Sequence, residues 1–254
     1  MADDPCARRA YAGMRYIVCS VDTRSVAVSV RWRREDGRPF GTLGALRASI
    51  AKAGQTLLLA TNGGMYDQDL APVGYYVEDR QRLKQANTRR GFGNFHMLPN
   101  GVFFIERGRA GVMETRAFLR RNRRPDFATQ SGPMLVINRR LHPRFNPKST
   151  SRKFRNGVGV SANGRRLFIA ISEEPVTFHA FAVLFRDGLK TPNALFLDGG
   201  SVPQLRSQTV SRASFAPVGP IVVVTTKPNQ PRAGQPKADE PKTAQPKEAA
   251  QTDQ

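Results

Sequence analysis

The stretch Asn193-Ala194-Leu195-Phe196-Leu197-Asp198-Gly199-Gly200-Ser201 sets a short apolar run directly against a lone carboxylate and a pair of glycines. An apolar run of this length bounded by turn residues reads as a strand buried on both faces, and paired glycines let the backbone turn sharply just past its end. Asp198 is therefore presented at a strand end. The same arrangement occurs upstream, where Thr56-Leu57-Leu58-Leu59-Ala60 runs into Thr61-Asn62-Gly63-Gly64-Met65-Tyr66. Taken singly, each is also the signature of a plain hairpin turn. Together, they allow two strand ends to converge on one site.

The segments around these turns alternate or run apolar between Gly, Pro and Asn. Arg15 to Val21 and Ser25 to Trp32 read as a hairpin across Asp22-Thr23-Arg24. Thr42 to Ala53 carries Leu43, Leu46, Ile50 and Ala53 at helical spacing, with Thr42 as N-cap and Gly54 as its stop. Short strands are predicted at Gly74–Glu78, Val102–Glu106, Gly111–Thr115, Met134–Asn138, Val158–Ser161 and Leu167–Ser172, and Ile221–Val224 closes the sheet. A second helix, Thr177 to Gly188, aligns Phe178, Phe181, Ala182 and Phe185 on one face as core packing. Strand, helix and strand from Leu167 to Leu197 form a crossover unit, which implies a parallel pair there. The predicted class is α+β: one domain over 1–226 with a large twisted mixed sheet and two main helices. From Lys227 to Gln254 the chain has no aromatic or branched aliphatic residue, so a disordered tail is expected.

The 254 residues carry 40 Lys and Arg against 20 Asp and Glu, a net +20. Five basic and four acidic residues fall in the tail, which leaves +19 on the domain. An anionic partner follows from that surplus: a phosphorylated glycan, an anionic envelope surface or a nucleic acid. The densest arginine stretches are 107–124 and 139–155. Aromatic residues within them are sparse and no nucleic-acid-binding motif accompanies them, which ranks nucleic acid last. Cys6 and Cys19 are the only cysteines, and their spacing suits a disulfide that pins the N-terminal segment to the first strand. Such a bridge needs an oxidising compartment. The expectation is a periplasmic or secreted protein whose leader is not present in this sequence, against a cytoplasmic protein with reduced thiols. No apolar run is long enough for a transmembrane segment, and no cysteine–histidine cluster suggests a metal.

Four motifs follow one another along the chain: Asn62-Gly63-Gly64-Met65-Tyr66, Ser131-Gly132-Pro133-Met134-Leu135-Val136, Arg155-Asn156-Gly157-Val158-Gly159 and Leu197-Asp198-Gly199-Gly200-Ser201. Their order and spacing resemble the phosphodiester glycosidase family. Gly93-Asn94-Phe95, Pro99-Asn100-Gly101-Val102-Phe103, Ala128-Thr129-Gln130 and Val176-Thr177-Phe178 are similar to its bacterial branch of unknown function. The resemblance runs from about Arg15 to Val224. It implies a mixed α and β fold and hydrolysis of a sugar-1-phosphodiester to a free sugar and a phosphate monoester, with no cofactor. One departure is the absence of a third glycine after Asp198.

A phosphate monoester leaves as a weak base, so less is asked of the general acid that glycosidases usually supply. Asp198 is the candidate base or nucleophile, against a structural aspartate that binds the amides of its own turn. Glu173 and Glu174 end the strand before the second helix and are candidates for a second carboxylate, or for capping that helix. Arg155 is assigned the phosphate, because a guanidinium meets phosphate in a bidentate way. Asn62 offers one acceptor and two donors for a sugar hydroxyl. Gly63, Gly64, Ser131, Gly132, Gly199, Gly200 and Ser201 complete the expected substrate contacts through backbone amides and hydroxyls. A noncatalytic module that binds anionic glycans through its arginines stands as the competing function.

Overall fold

The computed structural model describes residues 4–227, so the expected tail, apart from Lys227, lies outside the described residues. The chain begins β1 (Cys6–Tyr11), β2 (Met14–Asp22), β3 (Val26–Arg31), α1 (Leu43–Lys52), β4 (Leu57–Asn62), β5 (Tyr76–Glu78) and β6 (Gln81–Lys84). It continues through β7 (Gly101–Glu106), β8 (Arg109–Glu114), α2 (Thr115–Arg120), β9 (Phe127–Ser131), β10 (Met134–Ile137), β11 (Arg140–Leu141) and β12 (Asn156–Val160). It ends with β13 (Arg166–Ser172), α3 (Phe178–Val183), β14 (Asn193–Phe196), β15 (Leu205–Ser207), β16 (Ser211–Arg212) and β17 (Ile221–Thr226).

The strands form a first sheet in the order β1-β2-β13-β12-β14-β10-β11, a second in the order β16-β15-β4-β17-β3 and a third in the order β6-β5-β9-β7-β8. Period-two alternation sorts their side chains. Ile17, Cys19 and Val21 of β2, Val222 and Val224 of β17, and Phe103 and Ile105 of β7 point inward into one core shared by all three sheets. The residues between them point outward, and one helix covers each outer face. Phe181 and Phe185 lie on Tyr16, Val18 and Phe196 of the first sheet. Leu43 and Leu46 of α1 lie on Ala60, Ile221 and Val223 of the second. Phe118 of α2 lies on Val102, Phe104 and Ala128 of the third. Burial on both faces is why these strands read as continuous apolar runs, and each large side chain so buried contributes roughly 2–3 kcal/mol.

Both expected helices form. The Thr42 hydroxyl accepts from the Ala45 N–H at 3.1 Å, and Gly54 ends α1 at φ +70°. The Thr177 hydroxyl accepts from the Ala180 N–H at 3.1 Å, and α3 runs on into a π turn over Leu184–Gly188.

Three expectations about the sheet are corrected. The sheet is three sheets, and every pairing between its strands is antiparallel. β13 and β14 run in the same direction, yet they do not pair, because β12 lies between them and binds both. Its glycines suit that central place: a Cβ on Gly157 would sit 2.9 Å from the Leu195 carbonyl oxygen, and one on Gly159 would sit 2.7 Å from the Phe185 ring. β2 and β3 do not form a hairpin either, since β2 pairs with β1 and β13 while β3 pairs with β17 in another sheet.

Cys6 lies directly opposite Cys19 across β1 and β2, and the two are disulfide-bonded. The bridge locks an edge strand onto its sheet. Replacing both cysteines by alanine is expected to lower stability by about 2–3 kcal/mol, from the loop-closure entropy of a short loop. Thiol titration of the unreduced protein should find no free thiol; two accessible thiols would overturn the bridge.

Candidate active site

The three sheets meet where β4, β9, β12 and β14 present their ends. Asn62 is the last residue of β4, Ser131 the last of β9 and Asn156 the first of β12, and Asp198 lies two residues past β14. The Asn62 side-chain oxygen accepts from Asn156 Nδ2 at 2.9 Å and from the Gln204 N–H at 3.0 Å. Its nitrogen donates to the Asp198 carbonyl at 3.4 Å. Asn156 Oδ1 accepts from the Asp198 N–H at 2.9 Å, and the Ser131 hydroxyl donates to the Leu197 carbonyl. Asn62, Ser131 and Asn156 are all buried. Their side chains are spent on positioning, and the backbone of Asp198 is gripped at both its N–H and its carbonyl.

That grip leaves the carboxylate as the group available for chemistry. Its Oδ1 accepts from the Gly199 N–H at 2.8 Å, and no cation forms an ion pair with it among the described residues. Burial pushes the Asp198 carboxyl up from 3.8 to about 6, against the smaller opposite effect of the Gly199 hydrogen bond. Tyr66 stands within electrostatic reach: burial, helped by the charge of Asp198, raises its hydroxyl to about 12. That hydroxyl donates to the Pro217 carbonyl.

The glycines divide by what they touch. A Cβ on Gly63 would lie 2.9 Å from the Pro220 carbonyl oxygen, and one on Gly64 would lie 2.3 Å from the Thr129 hydroxyl. Gly132 would meet Asn100 at 2.6 Å, and Gly199 would meet the Phe196 ring at 2.7 Å. At these positions glycine lets one chain segment cross another. Gly200 differs, with φ +74° and open space where a Cβ would be, and Ser201 beside it is exposed.

Arg155 is the backbone neighbour of Asn156, but its guanidinium is packed against α3. Its Cζ lies 3.5 Å from the Phe178 ring centroid, Nε donates to the Val176 carbonyl at 2.9 Å and Nη2 to the Ser151 carbonyl at 3.4 Å. No carboxylate pairs with it among the described residues, and burial lowers its pKa to about 10. Phe178 also stacks on Phe145, and Phe145 on His142. Glu173 and Glu174 follow the end of β13 and pair with Arg8 and Arg15 at 2.8 and 3.4 Å. Arg212, within electrostatic reach of Glu173, stacks over Phe154, whose carbonyl accepts from the Gly200 N–H.

Two residues escaped the sequence reading. Asn156 was passed over for its charged neighbour, although an asparagine opening a fully buried strand is itself a signal, because buried amides must be hydrogen-bonded. Tyr66 carried no such signal.

A family model for phosphodiester glycosidases matches residues 55–225, which contain Asn62, Ser131, Asn156 and Asp198. The uncharacterised protein YigE of Escherichia coli K12 is 37% identical over 180 residues, 71% of this chain and 70% of that protein. Among solved structures, the catalytic domain of zebrafish N-acetylglucosamine-1-phosphodiester alpha-N-acetylglucosaminidase, auto-inhibited by its pro-peptide, superposes with a TM-score of 0.56 at 14% identity. It is covered over 81% of its length by 86% of this chain. A Burkholderia pseudomallei protein described as exported superposes with a TM-score of 0.55 at 13% identity, over 83% of this chain and 74% of that one. At such identities the structural likeness shows a shared fold.

Because the Asp198 carboxyl titrates near 6 in the folded chain and near 3.8 unfolded, the native state binds the extra proton between those values. Stability therefore falls as pH rises from about 4 to about 6 and carries the full penalty above that. Asp198→Asn should remove the penalty, raising stability at pH 7.5 by about 1–3 kcal/mol, with the gain vanishing near pH 4. Denaturant melts of both proteins across that range check it; a difference independent of pH would refute it. Asn156→Ala, which strands the Asp198 N–H and breaks the tie to Asn62, should cost about 2–4 kcal/mol at every pH.

Proposed function

The chain belongs to the phosphodiester glycosidase family, and from that premise we propose that it hydrolyses a sugar-1-phosphodiester with Asp198 as its catalytic carboxylate. The bond between the anomeric carbon and the bridging oxygen breaks, the oxygen leaves with the phosphorus as a phosphate monoester, and water supplies the new hydroxyl on the sugar. The observation that carries this reading is Asp198 itself, its backbone held by two buried asparagines and its carboxyl raised to about 6 by burial. A carboxylate in that range is ionised at neutral pH and is still a competent proton acceptor. It either takes the proton of the attacking water or attacks the anomeric carbon itself, to be released by water afterwards.

On this reading the phosphate sits where Arg155 supplies uncompensated positive charge. A buried guanidinium without a carboxylate favours an anion nearby, and the leaving phosphate gains charge as the bond breaks. Asn62, Ser131, Gly63, Gly64 and Gly132 act through positioning, while Gly199, Gly200 and Ser201 form the open lip of the turn. Glu173, paired with Arg8 and within electrostatic reach of Arg212, is the candidate second carboxylate; Glu174 stays with Arg15. The disulfide and the likeness to an exported protein support a periplasmic or secreted setting.

Turnover of a soluble sugar-1-phosphodiester, followed as free sugar and phosphate monoester, tests the proposal. Asp198→Asn should lower kcat at least about a thousandfold while the protein remains folded and binds substrate. The kcat/KM of the wild type should rise with pH through about 6 as Asp198 ionises. Arg155→Lys should raise KM about tenfold, because an ammonium cannot keep both the stack on Phe178 and the two backbone bonds that hold the positive charge in place. If Glu173→Gln leaves the rate unchanged, Asp198 works without a second acid. Full turnover by Asp198→Asn would overturn the mechanism, and binding of phosphorylated glycans by the wild type without turnover would favour the noncatalytic module.

A further inference from the structure

Three clefts follow one another around one end of the third sheet. The first, of 590 Å³, lies between β3 and the turn after β7 and is lined by Arg80, Arg107 and Lys227. The second, of 500 Å³, has Tyr75 and Val77 among its lining residues with Arg80, Arg82, Arg123 and Arg124 around them. The third, of 620 Å³, follows β8 to the turn at Ser161–Gly164 and is lined by Arg107, Arg109 and Arg123. Each pair of clefts shares one arginine: Arg80, Arg123 and Arg107 in turn. They therefore form one band and not three separate hollows.

The acids in the band are Asp79, Asp126 and Glu106, and each is already paired, with Arg31, Arg80 and Arg123 respectively. Arg82, Arg107, Arg109, Arg124 and Lys227 line the same clefts, are exposed and form no ion pair among the described residues. A single small anion is held by donors converging on one point. Here the free cations are strung along connected clefts, which matches repeated negative charges on an extended chain. Of the aromatic rings in the lining, Tyr75 and Phe104 are buried and the half-buried Phe127 has the Arg31 guanidinium 5.2 Å from its ring centroid, while the exposed Phe92 and Phe215 lie outside the lining, so the band offers bases no open row of stacking platforms.

The band is separate from the Asp198 turn. Its first cleft sits at the Phe127 end of β9, next to Ile105, whereas Ser131 at the other end of β9 holds Leu197, and none of the three clefts is lined by Asn62, Ser131, Asn156 or Asp198. At about 3.4 Å per residue the two ends of this strand are roughly 13 Å apart. We infer that the arginine band is an anchoring site for an extended glycan carrying phosphodiester groups along its length, remote from the hydrolytic turn. The choice of a glycan rests on the proposed function, because a polymer of sugar phosphodiesters would supply both the charges for the band and the bonds for Asp198.

Binding of a labelled capsular polysaccharide with phosphodiester-linked repeats, measured in the Asp198→Asn background so that no bond is cut, tests the inference. Neutral dextran and a short DNA duplex serve as the comparison ligands. Replacing Arg82, Arg109 and Arg124 together by alanine should weaken polysaccharide binding at least about tenfold at low salt and flatten its salt dependence. The same charge removed at the exposed Arg9, Arg47 and Arg140 should change it less than about twofold. With Asp198 intact, the band variant should turn over a small soluble phosphodiester at the wild-type rate. Equal losses in the two triple variants would reduce the effect to net charge and overturn the inference. DNA bound more tightly than the polysaccharide through the same arginines would overturn it in favour of nucleic acid. Band-dependent polysaccharide binding without hydrolysis of either substrate would sustain the anchor while removing the hydrolytic reading.

Discussion

Two buried asparagines and a buried serine tie the three sheets together at one point. Asn62 ends a strand of the second sheet, Asn156 begins one of the first, and they bond each other directly and grip Asp198 between them. Ser131 brings the third sheet to the same place. Each of these polar groups would cost about 1–3 kcal/mol if left unpaired in the interior. Their bonds are mutually dependent, so the strands can end in only one relative register. The helices and the shared core supply most of the stability, but none of them fixes that register as this junction does.

This arrangement explains the division of labour among the glycines. Where three sheets converge, backbones must cross at distances that leave no room for a Cβ, as at Gly63 against Pro220 and Gly64 against Thr129. Glycine-rich turns at strand ends read from sequence as places where a ligand meets the backbone, and here most of them are places where the protein meets itself. Of the glycines beside Asn62, Ser131 and Asp198, Gly200 is the one with a positive φ and open space. What these crossings leave open is a narrow lip at Gly200 and Ser201 beside the Asp198 carboxylate.

The apolar runs and the caps were legible because they express local physics. Thr42 and Thr177 cap helices as their spacing predicts, and Thr56 to Ala60 and Leu167 to Ser172 are strands because burial on both faces needs such runs. The pairing of those strands was not legible. β13, α3 and β14 read as a crossover unit, and nothing local reveals that β12 slips between the two strands, since that depends on Gly157 and Gly159 admitting α3. β1 was hidden by its exposed, arginine-rich face, and the strand ends Asp79-Arg80 and Asn138-Arg139 turn with positive φ but without the glycine that marks such turns. At the site, Asp198 stood out as a charge at a strand end. Asn156 did not, because its importance lies in partners far away in sequence.

The cations follow the same logic of partners. Arginines such as Arg24, Arg31 and Arg186 are neutralised by acids beside them. Arg155 is paired with no acid among the described residues and packs its guanidinium on Phe178, in a stack that continues through Phe145 to His142. Burial also depresses His142 to about 4, so this column holds a neutral imidazole at one end and a single desolvated cation at the other. A lone charge held this way raises the potential of its surroundings without offering a carboxylate to quench it. Asp198, on the opposite side of Asn156 in the hydrogen-bond network, is the corresponding lone anion, and it too is desolvated and unpaired. Two desolvated charges of opposite sign, neither in an ion pair among the described residues, are each destabilising. A chain selected for stability alone would have let them meet or replaced both, and the proposed hydrolysis gives each a use that offsets that cost, the anion at the anomeric carbon and the cation beside the leaving phosphate.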